Sequence, residues 1–263
     1  MKISIVTITF NSEKTISETM QSILEQTYRP LEYILIDGKS TDGTIKKIIE
    51  EKPLFEKKGI DFLLISEPDK GISDAFNKGI TKATGDIIGI INSDDKLTKN
   101  SLDFLSKNYE KKIDVYFGNC IIFRNDEKEE NLAKPKFRLK HSSLLIGMSL
   151  YHPSTFISKN AYSSFGLYNT NLKYCMDREL LLRLYKSGCN FKYIDQALAY
   201  YREGGTNQIN YRKCSKENER ISIKYGTNPI KAFVIRLFFS IHDRLWILIK
   251  KLGAEHLFHR KIK

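Results

Sequence analysis

Ile87-Ile88-Gly89-Ile90-Ile91-Asn92-Ser93-Asp94-Asp95 is an apolar run that ends in two adjacent carboxylates. A β-branched run of this kind needs cover on both faces, which interior strands of a parallel sheet have. In open α/β sheets the carboxyl ends of the strands border the binding crevice, so Asp94 and Asp95 are expected there. Two neighbouring anions repel, and a hard divalent cation, Mg2+ or Mn2+, shared with a substrate phosphate relieves the repulsion. Aspartate also favours turns and helix starts, so a turn leading into a helix is the competing reading of the same residues.

On either side of this run, strand-like and helix-like patterns alternate from Lys2 to Phe117. Strands are expected at Ile3–Thr9, Glu32–Ile36, Asp61–Ile65, Asp86–Ile91 and Asp114–Phe117. Helices are expected at Ile16–Gln26, Thr44–Glu51, Ile72–Ala83 and Ser101–Asn108. This rhythm predicts an α/β fold with a mostly parallel, doubly wound sheet. After Gly118 it gives way to short strands at Cys120–Arg124 and Ser154–Ser158 and a polar loop at Asn125–Lys136. A helix at Asp177–Ser187 and strands at Phe191–Ile194 and Ala197–Tyr201 follow. The expected organisation is one domain over residues 1–225, with halves at 1–118 and 119–225, and a basic helical tail over 226–263. No internal repeat or low-complexity segment interrupts it.

With 263 residues, 41% of them hydrophobic and 28% charged, the chain is long enough to bury a core and too apolar for wholesale disorder. Its net charge of +12 suggests a polyanionic partner: nucleic acid, an anionic membrane or a phosphate-bearing substrate. Four widely spaced cysteines without a metal-ligand pattern fit a reduced, cytosolic setting. The N-terminal apolar stretch is too short for a secretion signal, and no run of about 18 apolar residues suggests a membrane span.

Several constellations gather at the expected strand ends. Asp37 follows Tyr33-Ile34-Leu35-Ile36, and an acceptor there can hold the N–H and O–H groups of a nucleotide. Ser40, Thr41 or Asp42 in the same loop can equally cap the next helix. The first turn, with Thr9 and Asn11, can cradle a base or serve only as a polar connection. Between Glu67 and Gly79, Asp69, Asn77 and Lys78 can hold a sugar nucleotide, although capping and surface charge explain each of them singly.

Taken in order, Thr7-Ile8-Thr9-Phe10-Asn11, Ile36-Asp37-Gly38-Lys39-Ser40-Thr41-Asp42-Gly43-Thr44, the EPDKGISDAFNKG segment and Gly85-Asp86 leading to Asn92-Ser93-Asp94-Asp95 resemble the family 2 glycosyltransferases of bacterial surface-polysaccharide type. The resemblance implies a GT-A fold, in which residues 1–118 bind the nucleotide sugar and residues 119–225 bind the acceptor. It implies a DxD-type metal site, which here begins with Asn92 and leaves the ribose and metal contacts to Asp94 and Asp95. It continues through His152-Pro153-Ser154-Thr155, Gly166-Leu167-Tyr168 and Met176-Asp177-Arg178-Glu179. By position Asp177 is the base that takes the acceptor proton, against the alternative of an ordinary N-cap. Glu179 is the backup acid, and His152 is an acceptor-side candidate that can equally be structural. Arg202, in Tyr201-Arg202-Glu203-Gly204-Gly205, can meet the leaving diphosphate or be a surface arginine.

Beyond Pro229, Ile230–Leu252 reads as an apolar helix with Lys231, Arg236, Arg244, Lys250 and Lys251 on a cationic side. It suits an anionic bilayer interface, and docking on the core or on a second subunit would use the same pattern. No recognised nucleic-acid motif accompanies the charge. The combined expectation is an inverting, Mn2+- or Mg2+-dependent hexosyl- or hexosaminyltransferase. It would move a sugar from a nucleoside-diphosphate donor, a UDP-sugar, to a glycan or lipid-linked hydroxyl at the inner face of the cell membrane. A nucleotidyltransferase and an inactive membrane-bound scaffold are the rival readings.

Overall fold

The computed structural model describes residues 1–123, 131–135, 150–203 and 210–238. Its first half follows the expected rhythm: β1 (Ile3–Thr9), α1 (Ile16–Leu24), β2 (Leu31–Asp37), α2 (Thr44–Lys57), β3 (Ile60–Ser66), α3 (Ile72–Lys82) and β4 (Ile87–Ile90). β3, β2, β1 and β4 lie side by side and parallel. Ile87, Ile88, Ile90 and Ile91 are all buried, as a strand covered on both faces requires. α2 is longer than the sequence pattern suggests and continues through Pro53.

The second half departs from the parallel rhythm. The turn after β4 leads to a two-residue strand, β5 (Lys96–Leu97), before α4 (Ser101–Lys107). β6 (Val115–Phe123) joins what the sequence divides at Gly118. A side chain at Gly118 would meet Leu198 at 2.6 Å, and the ladder between β6 and its neighbour shifts register there. β7 (Asn131–Ala133) pairs with β6 where a loop was expected. The remainder of that loop, residues 125–130 and 136, and Arg124 lie outside the described residues.

A 3-10 turn, His152–Ser154, precedes β8 (Thr155–Ser158), which inserts antiparallel between β4 and β6. After α5 (Lys159–Phe165) and α6 (Met176–Lys186), the two short strands expected near residues 191–201 form one strand, β9 (Phe191–Arg202), parallel to β6 and antiparallel to β5. α7 (Tyr211–Lys224) occupies residues to which the sequence pattern assigns nothing. The sheet order is β3-β2-β1-β4-β8-β6-β9-β5, with β7 at the side of β6. The result is a mixed α/β architecture whose parallel half presents its strand ends on one edge.

Residues 229–238 are helical. Ala232 is buried against the body and Arg236 pairs with Glu219 at 2.8 Å, while Ile230, Phe233, Val234, Leu237 and Phe238 are exposed. No helix among the described residues is long and apolar enough to cross a membrane. The remainder of the expected tail helix, including Arg244, Trp246, Lys250 and Lys251, lies outside the described residues.

Candidate active site

Register brings the first groups together. Thr9, Asp37 and Ser66 stand abreast at the ends of β1, β2 and β3. Asp37 is fully buried, and its carboxylate accepts from the Ser40 N–H at 3.0 Å, the Ser40 hydroxyl and the Ser66 hydroxyl at 2.6 Å. Asn11 takes a left-handed backbone, φ 50°, and its Oδ1 accepts from the Thr41 N–H at 2.9 Å. Its own N–H donates to Ser40 Oγ at 2.8 Å, so the β1–α1 and β2–α2 loops are tied together. Thr9 accepts at its carbonyl from the Gly38 N–H, and its hydroxyl is buried without a hydrogen-bond partner. Asp69 packs so close to Gly38 that a Cβ there would lie 2.5 Å from Asp69 Oδ2.

Other candidates in this half carry structural bonds. Asp69 Oδ1 accepts from the Gly71 N–H at 2.8 Å, as a turn aspartate does. Lys78 donates to the Pro68 carbonyl and pairs with Glu67 at 2.9 Å. Asn77 uses both ends of its amide on the backbone of Tyr168: Nδ2 donates to the carbonyl, and Oδ1 accepts from the N–H, each at 2.9 Å.

Asn92–Asp95 form a turn closed by the Asp95 N–H on the Asn92 carbonyl at 3.1 Å. A strand follows it, so neither Asp94 nor Asp95 starts a helix. α1 and the loop before it support the turn: the Thr19 hydroxyl donates to the Asp95 carbonyl at 2.7 Å, and the Ser12 and Ser93 hydroxyls lie 2.8 Å apart. From the far end of β9, Arg202 donates its N–H to Asp95 Oδ1 and its Nε–H to the Asp94 carbonyl, both at 3.0 Å. Its guanidinium also pairs with Glu18 and lies over the Phe123 ring. Asp95 is 1% exposed. Burial pushes its carboxyl well above the ordinary range, the Asp94 charge adds to this, and the Arg202 N–H and charge oppose it.

Asp95 Oδ2 and Asn92 Oδ1 are buried without hydrogen-bond partners. Such hard oxygen donors suit Mg2+ or Mn2+. No group of three or more His, Cys, Asp or Glu side chains among the described residues could close around a cation. A divalent ion here would complete its shell with oxygens beyond these side chains, from water or a ligand's phosphates, as Mg2+ sites commonly do.

Asp177 belongs to the second cluster. It lies in the first turn of α6, whose N-cap is Cys175. The N–H groups of Lys173, Tyr174 and Cys175 that lead into the helix all donate to Glu217 of α7, at 2.9–3.0 Å. Asp177 is thus not the cap, and its Oδ1 is buried with no hydrogen-bond partner. It lines a pocket of about 10 Å³, room for about one water, with His152, Tyr162, Tyr168, Ile90 and Leu181. Burial raises the Asp177 carboxyl above its ordinary value, while the His152 charge and a hydrogen-bonding interaction with Tyr168 hold it down. His152 is driven the other way: burial lowers it, and the charges of Asp177 and Asp94 oppose that. His152 thus feels the carboxylates of both clusters, Asp177 and Asp94, and its Nε2 is also unpartnered.

Glu179 does not join this pocket. It is 2% exposed, and its oxygens accept from Tyr225 at 2.6 Å and pair with Lys224 and Arg183 at 3.2 Å each. Burial works against its charge, but these donors outweigh it and hold the carboxyl below its ordinary value. Ser66, Glu217, Arg183 and the place of Tyr168 in the pocket escape the sequence reading. Ser66 was accessible, because it ends the strand beside Asp37, whereas the others act across long sequence separations.

The model of the family described as glycosyl transferase family 2 matches residues 4–167. A Campylobacter jejuni protein, GalNAc(5)-diNAcBac-PP-undecaprenol beta-1,3-glucosyltransferase, is 29% identical over 133 residues, 51% of this chain and 41% of that one. The Escherichia coli UDP-Glc:alpha-D-GlcNAc-diphosphoundecaprenol beta-1,3-glucosyltransferase WfgD is 31% identical over 144 residues, 54% of each chain. The chain thus spans about half the length of these relatives. Among solved structures, the Pyrobaculum calidifontis mannosyltransferase PcManGT with GDP-Man and Mn2+ superposes with a TM-score of 0.64 at 17% identity, covering 99% of this chain and 76% of that one. S. aureus TarS 1-349 with UDP-GlcNAc gives a TM-score of 0.63 at 17% identity, covering 90% and 70%. These neighbours share the GT-A fold.

Proposed function

Because the chain belongs to family 2 of the glycosyltransferases, we propose that it moves a sugar, with inversion, from a nucleoside-diphosphate donor to a hydroxyl of a glycan or lipid-linked acceptor in bacterial surface-polysaccharide synthesis. The observation that carries this reading is the free Oδ1 of Asp177, two residues past the N-cap position of its helix. A carboxylate without structural duty, in a pocket, is suited to proton transfer.

The acceptor oxygen attacks the anomeric carbon and its proton passes to Asp177. The bond from that carbon to the diphosphate oxygen breaks, and the nucleoside diphosphate leaves with the electron pair. A raised carboxyl matches the work, since a base operates best with a pKa brought closer to the working pH. Asp95, with Asp94, Asn92 and the donor's phosphate oxygens, would hold Mn2+ or Mg2+, which neutralises charge developing on the departing diphosphate. Arg202, bound through its backbone N–H to Asp95 Oδ1 and through Nε to the Asp94 carbonyl, adds a positive charge beside this turn.

The nucleotide is assigned to the edge formed by Thr9, Asn11, Asp37 and Asp69. A UDP-sugar is the proposed donor, supported by the donor named for WfgD. Undecaprenol-linked acceptors appear in the names of both bacterial relatives, and they support a lipid-linked acceptor here. The exposed stripe Ile230, Phe233, Val234, Leu237 and Phe238 recurs at helical spacing and supports peripheral binding to the inner face of an anionic membrane. The reading is tested by screening nucleotide sugars with Mn2+ for thermal stabilisation, then assaying transfer from each stabilising donor with Asp177→Asn as control. Transfer that survives in the variant would exclude Asp177 as the base.

A further inference from the structure

We propose that Tyr168 is the positioning residue of the base: its hydroxyl serves Asp177, and side chains of α3 and α6 hold the backbone that carries it. The proposal rests on the reading of Asp177 as the base and adds to it how that carboxylate is kept ready.

Four successive residues, the last of α5 and the first three after it, have main-chain groups bound by two distant side chains. Arg183 of α6 donates to the carbonyls of Phe165, of Gly166 at 2.9 Å and of Leu167 at 2.6 Å. Asn77 of α3 then takes both the N–H and the carbonyl of Tyr168, 91 positions away in sequence. Connections ordinarily leave such groups to water. Here an arginine and both ends of an amide are committed to one turn. Arg183 is itself anchored by the buried Glu179.

What the clamps present is a tyrosine that is 7% exposed, with its ring 5.0 Å from Phe76 and 6.4 Å from Tyr162. Tyr168 lines the same pocket as Asp177. The titratable groups facing Asp177 are His152 from the 3-10 turn, Tyr162 from α5 and Tyr168; Asp94 acts on His152, and Arg183 on Tyr162. Tyr168 and the unpartnered Oδ1 of Asp177 line one pocket with room for about one water, so the Tyr168 hydroxyl is a neutral donor placed to favour the charged, proton-accepting form of the carboxylate. Asn77 and Glu179 thereby gain a common purpose without touching a ligand: both fix the turn that aims Tyr168.

The test follows the carboxyl carbons of the aspartates by NMR in the full chain across pH, without donor or acceptor. The Asp177 signal is the one missing from Asp177→Asn. Tyr168→Phe should move its midpoint upward, a gain of about threefold to tenfold in proton affinity, and leave the other aspartates in place. Asn77→Ala should shift it the same way by less, and should add nothing once Tyr168 is phenylalanine, a non-additivity expected only if both act through one hydroxyl. An unmoved midpoint in Tyr168→Phe overturns the proposal. If that variant does not fold, an unmoved midpoint in Asn77→Ala does so instead. If Asp177 is not the base, Asp177→Asn will transfer sugar normally while the tyrosine effect on the midpoint persists, so the two failures are separable.

Discussion

The backbone N–H of Arg202 donates to Oδ1 of Asp95 at 3.0 Å, which engages one oxygen of a buried carboxylate and leaves Oδ2 without a partner. Asparagine at position 95 can still accept from Arg202 but gives up the negative charge. Asp95→Asn is therefore expected to fold normally and to lose Mn2+-dependent turnover by about 100-fold or more. Calorimetric titration of donor with and without Mn2+ checks it. Unchanged turnover and metal dependence would move the metal elsewhere.

Asp177→Asn should preserve donor binding and lower transfer by about 100- to 10,000-fold, the usual worth of acid–base assistance. In the parent protein, transfer should fall on the acid side with a midpoint above the ordinary carboxylate value, because burial raises this group. A pH–rate profile with its acid limb at or below about 4 would contradict the assignment.

The same two carboxyls shape stability against pH. Asp95 and Asp177 both have raised folded values, so protonation favours the native state. Their contribution is fully present below the unfolded carboxylate pKa of about 4 and is lost as pH climbs through the folded values. Each asparagine variant should therefore match the parent in urea midpoint near pH 4 and exceed it near pH 7.5. A variant less stable than the parent at neutral pH would show the charge to be well compensated.

Glu179 behaves in the opposite sense. Its folded carboxyl is depressed, so its contribution is present above the unfolded value and disappears as pH falls through the folded one. Glu179→Gln should cost about 2 kcal/mol at neutral pH, since buried hydrogen bonds to a charged group are lost while part of each cation stays solvated. Urea unfolding measures it.

Deleting residues 229–263 should abolish flotation with vesicles rich in anionic lipid and leave the nucleotide-dependent thermal shift unchanged. Equal flotation of the two proteins would place membrane contact elsewhere.

The parallel half of the fold was legible because each of its strands is a local apolar run and each crossover a local helical pattern. The second half was less so, for reasons that particular residues show. Gly118 looks like a strand end, yet it sits inside β6 because Leu198 packs where a side chain would be. β8 enters between β4 and β6 through pairings about 70 residues apart on one side, which no short window reveals. Asp94 and Asp95 could be placed at a strand end from their local run alone. Asp177 could not be told from an N-cap until Cys175 was seen in that position, with Glu217, 40 positions beyond Asp177 in sequence, holding the chain that leads into the helix. Asn77 was visible as a polar helix residue, but its partner Tyr168 was not.

The grip of Glu217 on the chain leading into α6 also has an evolutionary consequence. Since the side chain of residue 177 makes no cap hydrogen bond at the start of α6, a single aspartate-to-asparagine change there would, if Asp177 is the proposed base, silence transfer while sparing the fold. On the proposed function, lineages that duplicate this gene would have a one-step route from enzyme to stably folded sugar-nucleotide receptor, with selection against misfolding unable to see the difference.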